Sequence, residues 1–187
     1  MKHMKPFMVR RRHIVGVTAL LIGCVCTQPA FAQPFGSGVY GTQVPYGDLT
    51  SISIAVSGNP SIVTTLSGGI FSGSATHTVT VTSTDVVGYQ LFVSGTSSTT
   101  MDNGAYSLAA SSNTSAAPLA TNSWGYNTTG STTDFIGITM SQVLLKSASG
   151  PFGSGDDTAV TYGAALDTNQ AAGTYSIGVT YTAAGES

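Results

Sequence analysis

From residue 49 onward the chain alternates apolar and polar side chains with a period of two. Ile52, Ile54 and Val56 share one side of an extended backbone, with Ser51, Ser53, Ala55 and Ser57 opposite. Across Thr76–Ser83, Val79 and Val81 share a face while every even position is threonine. The same spacing aligns Val87, Tyr89, Leu91 and Val93, and later Val160, Tyr162, Ala164 and Leu166. It is plainest near the end, where Tyr175, Ile177, Val179 and Tyr181 oppose Thr174, Ser176, Thr180 and Thr182. Such alternation gives each strand one dry and one wet face, as in antiparallel sheets stacked as a sandwich. Threonine, polar and β-branched at once, suits the wet face.

Punctuation supports this reading. Turn chemistry recurs at Ser57-Gly58-Asn59-Pro60, Gly68-Gly69, Asp102-Asn103-Gly104 and Gly150–Asp157, a spacing that predicts about eight to ten strands. Stretches rich in Ser, Thr, Asn and Ala at Ser94–Thr100 and Ala109–Thr121 are expected to be long surface loops. No amphipathic helix is predicted after the first thirty-odd residues. The expectation is an all-β fold.

The N-terminal region reads differently. Lys2, Lys5, Arg10, Arg11 and Arg12 precede an apolar run from Ile14 to Val25. Ala30-Phe31-Ala32 then places small residues at −3 and −1 of a cut before Gln33, so residues 1–32 are expected to be an export signal. Leu21-Ile22-Gly23-Cys24 offers a rival, in which Cys24 is lipidated and anchors the chain to a membrane. Residues 33–48, carrying two prolines, four glycines, Phe35, Tyr40 and Tyr46, are expected to form a flexible arm. The β domain then occupies residues 49–187.

Removing the leader changes the charge balance. Of six basic residues only Lys146 remains, against Asp48, Asp85, Asp102, Asp134, Asp156, Asp157, Asp167 and Glu186. One cation less eight anions gives a net charge of −7. A domain with a single cation cannot neutralise a phosphate backbone, so nucleic acid is excluded as a partner. Cys24 and Cys26, the two cysteines, both lie in the leader, which leaves no disulfide, thiol nucleophile or cysteine metal site.

The remaining candidates for chemistry are few. His77, the one histidine after the leader, has the parity of Val79 and Val81, which puts it at a sheet edge or core margin. Catalysis there requires a nucleophile and an orienting acid around it. In a chain where Ser and Thr are everywhere, their nearness carries no information, and no catalytic residue is assigned. Asp156-Asp157 in a glycine-bracketed loop and the Asp102-Asn103-Gly104 turn are oxygen-rich, so calcium is the one metal worth weighing. Asp-Asn-Gly is equally good turn chemistry. Asn122-Ser123-Trp124-Gly125-Tyr126-Asn127 carries the single tryptophan. Trp124 and Tyr126, with Tyr106, are either stacking faces for a glycan or partner, or core side chains of a strand. Asn113-Thr114-Ser115 and Asn127-Thr128-Thr129 fit the N-glycan sequon, which in an Asn/Thr-rich chain arises from composition alone.

Two blocks carry a resemblance. Val87-Gly88-Tyr89-Gln90-Leu91, succeeded some thirty residues later by Asn122-Ser123-Trp124-Gly125-Tyr126, resembles a pattern in bacterial surface proteins. Val160-Thr161-Tyr162-Gly163 and the run from Ala172 to Thr182 resemble the closing strands of that group. The last strand is also similar to WxL-type cell-wall domains and to pilin-like or spore-coat-like β-sandwiches. No Trp-x-Leu motif is present, since Gly125 and Tyr126 come after Trp124. The resemblance implies an antiparallel, immunoglobulin-like surface module and supplies no catalytic residues. The expected role is a non-enzymatic, exported structural or adhesive protein, a subunit of a fibre or coat. Its partners are other surface proteins or copies of itself, engaged through the 33–48 arm. The alternative is a secreted carbohydrate-binding module using Trp124 and Tyr126.

Overall fold

The structure, a computed structural model, describes the backbone of Ile14–Gly16 and residues 50–186. Apart from that short backbone stretch, the expected export signal (1–32, with Cys24) and the 33–48 arm lie outside the described residues.

All regular elements among the described residues are strands. In chain order they are β1 (Ile14–Gly16), β2 (Ser51–Val56), β3 (Ser61–Val63), β4 (Thr65–Ser67), β5 (Ile70–Thr84), β6 (Gly88–Gly95) and β7 (Met101–Asp102). Next come β8 (Ser107–Ala110), β9 (Ala117–Pro118), β10 (Ser123–Asn127), β11 (Asp134–Phe135), β12 (Val143–Ser149), β13 (Phe152–Asp167) and β14 (Val179–Glu186). Eight of these have four residues or more, if the two-residue and three-residue pieces are set aside, so the expected count matches the substantial strands and misses the short ones.

The larger sheet has the order β2-β5-β13-β10-β8-β7, with β4 also joined to β5. The smaller is β12-β6-β14, and two-stranded pairings join β1 to β3 and β11 to β9. Pairing is antiparallel except between β8 and β10, which run parallel. Both main sheets contribute to one core: Val79 and Val81 from β5, Trp124 and Tyr126 from β10, Val160 and Tyr162 from β13, Leu91 and Val93 from β6, Val179 and Tyr181 from β14.

Local chemistry explains the joints. Gly68 and Gly69 form a two-residue hairpin loop between Ser67 and Ile70, with φ of 60° and 84°. Both values are left-handed, the geometry whose twist matches the flanking strands and which glycine adopts without penalty. Asp85, at φ 56°, turns β5 into β6. That turn corrects one expectation. Val86 is the side chain that enters the interior, and Val87 is 66% exposed, so the buried series of β6 begins at Tyr89.

Other expectations need adjustment. Ser94–Gly95 and Ala109–Ala110 belong to β6 and β8, and Ala117–Pro118 pairs with β11, so these stretches are not simply surface loops. The closing strand proper begins at Val179. Tyr175 and Ile177 point inward as expected, but that segment is tied by the Asp102–Ser176 bridge and by the Thr96 amide donating to the Gly178 carbonyl, not by a continuous ladder.

The main departure from simple alternation lies in β10 and β13. Every residue of β10, and every residue of β13 from Val160 to Leu166, is buried, so both faces are dry there. The segment carrying β11 supplies the outer cover. Gly125 and Gly163 are cross-strand partners, and the Phe135 ring lies where a β-carbon on Gly163 would stand. Two glycines in register thus make the hollow that one phenyl ring fills.

A methyl group at Gly163 must displace that ring, and overpacking of this kind costs about 1–3 kcal/mol. Gly163→Ala is expected to lower the unfolding free energy from urea titration by that amount, and Phe135→Ala by more, about 3–5 kcal/mol. In the double variant the losses should fall short of their sum, because the ring that clashes is gone. Strict additivity would show that the two sites do not touch.

Candidate functional site

The densest polar arrangement in the interior is built by strand parity. Odd positions of β5 point inward, which buries His77 with Val79 and Val81; even positions of β13 bring Tyr162 beside it. β14 contributes Tyr181 from the opposing sheet. His77 Nε2 lies 2.7 Å from the Tyr181 hydroxyl, which lies 2.6 Å from the Tyr162 hydroxyl. His77 Nδ1 lies 2.9 Å from the Gly58 carbonyl oxygen. The ring centroids of His77 stand 5.6 Å from Tyr162 and 5.5 Å from Tyr181. His77 is therefore buried at the margin of the core, as its sequence context suggested: it stands opposite Val160 of β13, lies just beyond the end of the β2 pairing at Val79, and meets Tyr181 of β14 on its inner side.

One protonation pattern satisfies the whole chain of bonds. A carbonyl only accepts, so Nδ1–H donates to Gly58 and a neutral ring leaves Nε2 as an acceptor. Tyr181 then donates to Nε2, and Tyr162 donates to Tyr181. Burial lowers the His77 pKa, with the Gly58 carbonyl opposing that shift in part. Burial likewise raises both tyrosines well above the usual phenol range. Near neutral pH the trio is uncharged, and both imidazole nitrogens are engaged. Its chemistry is that of a tie between two sheets and the Gly58 turn.

A second polar cluster also bridges the sheets. Lys146 on β12 places Nζ 2.6 Å from Asp156 Oδ1 and 3.2 Å from the Asp157 carbonyl on β13. Tyr89 of β6 donates to Asp156 Oδ2 at 2.7 Å, and Thr80 donates to Asp157 Oδ1 at 2.6 Å. Burial pushes the Asp156 carboxyl upward, but the hydrogen bonds from Lys146 and Tyr89 and the lysine charge outweigh it, and the net shift is downward. Sequence reasoning missed this pair. The available signal was that the one lysine left after the leader stands ten residues before a double aspartate, across the Gly150-Pro151 turn.

Asp156 and Asp157, two of the carboxylates weighed for calcium, are thus engaged with protein donors. Among the described residues, no group of three or more His, Cys, Asp or Glu side chains is placed to hold a metal ion. In the Asp102-Asn103-Gly104 turn, Asn103 Oδ1 accepts from the Tyr106 amide at 2.9 Å, which closes the β7–β8 hairpin.

The aromatic candidates separate. Trp124 is 0% exposed and donates its indole N–H to the Thr99 carbonyl at 3.0 Å; Tyr126 is buried beside it. Neither ring offers a face to a ligand, which corrects the platform reading of these two residues. Tyr106 is 55% exposed and does not belong with them. The sequon asparagines act as internal staples. Asn113 Nδ2 donates to the carbonyls of Ala117, Pro118 and Phe135, and Asn127 Nδ2 to those of Ser131 and Asp134. These bonds hold in place the segment that covers Gly163.

A groove of about 190 Å³ borders β4, β5 and the end of β13, lined by Phe71, Leu166, Asp167, Gln170 and Tyr175 among others. It falls below the usual size of a small-molecule site, roughly 300–1,000 Å³. Asp167 is committed there: Asn122 donates to Oδ2 at 3.0 Å, and the amides of Asn169 and Gln170 donate to Oδ1 at 2.8 Å. Those donors hold its carboxyl below the ordinary range, with the Asn122 bond foremost.

Comparison with known families, with characterised proteins and with solved structures yields no match to this chain.

The buried histidine makes stability depend on pH with a definite sign. Its folded pKa lies below the unfolded value of 6.5, so the unfolded chain binds the proton first. Stability is complete above pH 6.5 and falls as pH drops through that value toward the folded pKa. Free carboxylates remain ionised until much lower pH and do not contribute in this window. Urea titrations from about pH 7.5 to about pH 5, a range that brackets the ordinary histidine pKa, should show progressive loss in the wild type and a nearly flat profile in His77→Gln. Parallel profiles would remove His77 as the cause.

Proposed function

We propose that this chain is a non-catalytic structural or adhesive module of a bacterial exterior, an immunoglobulin-like sandwich exported with residues 1–32 removed. The observation that carries this reading is the employment of its reactive side chains. His77, Lys146, Asp156 and Asp157 are all spent on bonds between strands or sheets. The side chains left outermost on β5 are the hydroxyls of Thr76, Thr78, Thr80, Thr82 and Thr84, interrupted by no charge along that strand. A chain without cysteine beyond its leader gains cohesion from such cross-sheet ties in place of disulfides.

Assembly with copies of itself into a fibre or coat fits this character. Residues 49–84, which include all of β2 to β5, contain no Asp, Glu, Lys or Arg, and charge is the common device against edge-to-edge association. The carbohydrate-binding alternative retains only Tyr106, because Trp124 and Tyr126 are core residues.

The test is assembly of the exported protein. Light scattering and electron microscopy of the released chain are expected to show multimers that disperse when Gln33–Gly47 is deleted. A monomer that binds glycans through Tyr106, losing that binding in Tyr106→Ala, would contradict the structural reading and favour the alternative.

A further inference from the structure

The buried tie between the sheets has a chemistry that its mechanical role does not use. A phenol that gives up one electron becomes a strong acid, so its oxidation is easier where a base stands ready for the proton. Tyr181 has that base within its own hydrogen bond. Its hydroxyl lies 2.7 Å from His77 Nε2, which is left an acceptor because Nδ1–H donates to Gly58. The Tyr162 hydroxyl, 2.6 Å away, donates to the same Tyr181 oxygen and so steadies it when the electron is lost.

Other tyrosines lack this partner. Tyr89 donates to Asp156, whose carboxyl is raised by burial but lowered further by the Lys146 and Tyr89 bonds, which makes it a poor base. Tyr175 donates to the Ala171 carbonyl, a peptide oxygen that takes up no proton near neutral pH. Burial weakens His77 as a base but keeps its ring neutral, and so free to accept.

An aromatic path leads to this pair. The Trp124 ring lies 6.2 Å from that of Tyr162, tilted by 34°, and Tyr162 in turn touches Tyr181. The indole N–H is held by the carbonyl of Thr99, a half-buried residue, so Trp124 faces the outer side of the path. No cysteine occurs after Cys26, and the β domain therefore has no thiol to intercept radicals.

We propose that Trp124, Tyr162, Tyr181 and His77 form a one-electron relay, which draws the oxidising equivalent of a radical oxidant into the core and holds it as a neutral Tyr181 radical. The oxidant takes one electron from Trp124 and is reduced to its anion. The indole radical cation then recovers an electron from Tyr181 by way of Tyr162, and the Tyr181 O–H proton passes to His77 Nε2. The positive charge that began on the indole ends on the imidazolium. Its Nδ1–H stays on Gly58, and its new Nε2–H donates to the radical oxygen.

Pulse radiolysis of the purified protein, with the azide radical as oxidant, tests the relay. Time-resolved absorption is expected to show the indolyl band decaying as the tyrosyl band rises, at a rate independent of protein concentration and slower in D2O. Tyr181→Phe keeps the ring and should abolish that transfer. His77→Gln keeps an acceptor but no base, and should slow the tyrosyl rise by roughly a hundredfold. Near-UV circular dichroism matching the wild type shows that each variant retains its core. Independently of any variant, the frozen wild-type radical should show two exchangeable proton couplings in electron–nuclear double resonance, from Nε2–H and the Tyr162 hydroxyl. Tyrosyl formation without an indolyl precursor, a rise unchanged in folded Tyr181→Phe, or a wild-type radical without exchangeable couplings would each overturn the relay.

Discussion

The antiparallel ladder between β5 and β13 is the member from which the other strands of the larger sheet hang. It pairs Ile70–Ser83 with Phe152–Asp167, interrupted only by the irregularity after Phe152. β2 and β4 attach through β5, while β10, β8 and β7 attach through β13. Where β13 runs from Val160 to Leu166 it is covered on both faces, so its main-chain hydrogen bonds lie away from water. A broken bond there leaves donor and acceptor without a substitute partner, at a cost of about 1–3 kcal/mol for each buried group. This constraint explains why small residues recur on the outer side of that strand. Gly163 and Ala165 leave room for the covering segment, and Asn113 and Asn127 fix that segment by their side-chain amides.

The second organising feature is the way polar groups join the sheets. Hydrophobic burial holds sheet against sheet without specifying their relative placement. Two polar ties supply that specification: Gly58–His77–Tyr181–Tyr162 within the core and Lys146–Asp156–Tyr89 nearer the surface. In each, the partners come from different sheets, so sliding one sheet over the other breaks several bonds together. The core tie is the more demanding, because a buried hydroxyl or imidazole that loses its partner has no water to turn to. Reactive residue types are used here for fit.

Much of this is legible in the sequence. A period of two places Val79–Val81, Val160–Tyr162–Ala164–Leu166 and Tyr175–Ile177–Val179–Tyr181 inward, and the parity of His77 gives its direction. Alternation alone allows Trp124 to be core or platform, and its burial decides for the core. The features that escape a reading of the sequence depend on register between distant strands. That Phe135 seats on Gly163 requires knowing that Gly163 faces Gly125, which alternation along either strand alone does not reveal. The Lys146–Asp156 bond requires the β12–β13 turn to bring two different sheets together. Val87 departs from its expected face at the turn where Asp85 adopts a left-handed conformation, while Tyr89, Leu91 and Val93 keep the expected side.

Amide hydrogen exchange tests the central claim most directly. If the doubly covered ladder carries the fold, the amides of Val160–Leu166 on β13 and of their β5 partners exchange only by global unfolding, with free energies equal to that of the whole domain. The amides of β2 and β12, with one neighbour strand each, exchange through smaller openings. Protection on β13 no greater than that on β12 would contradict the account, for the ladder would then open independently of everything attached to it.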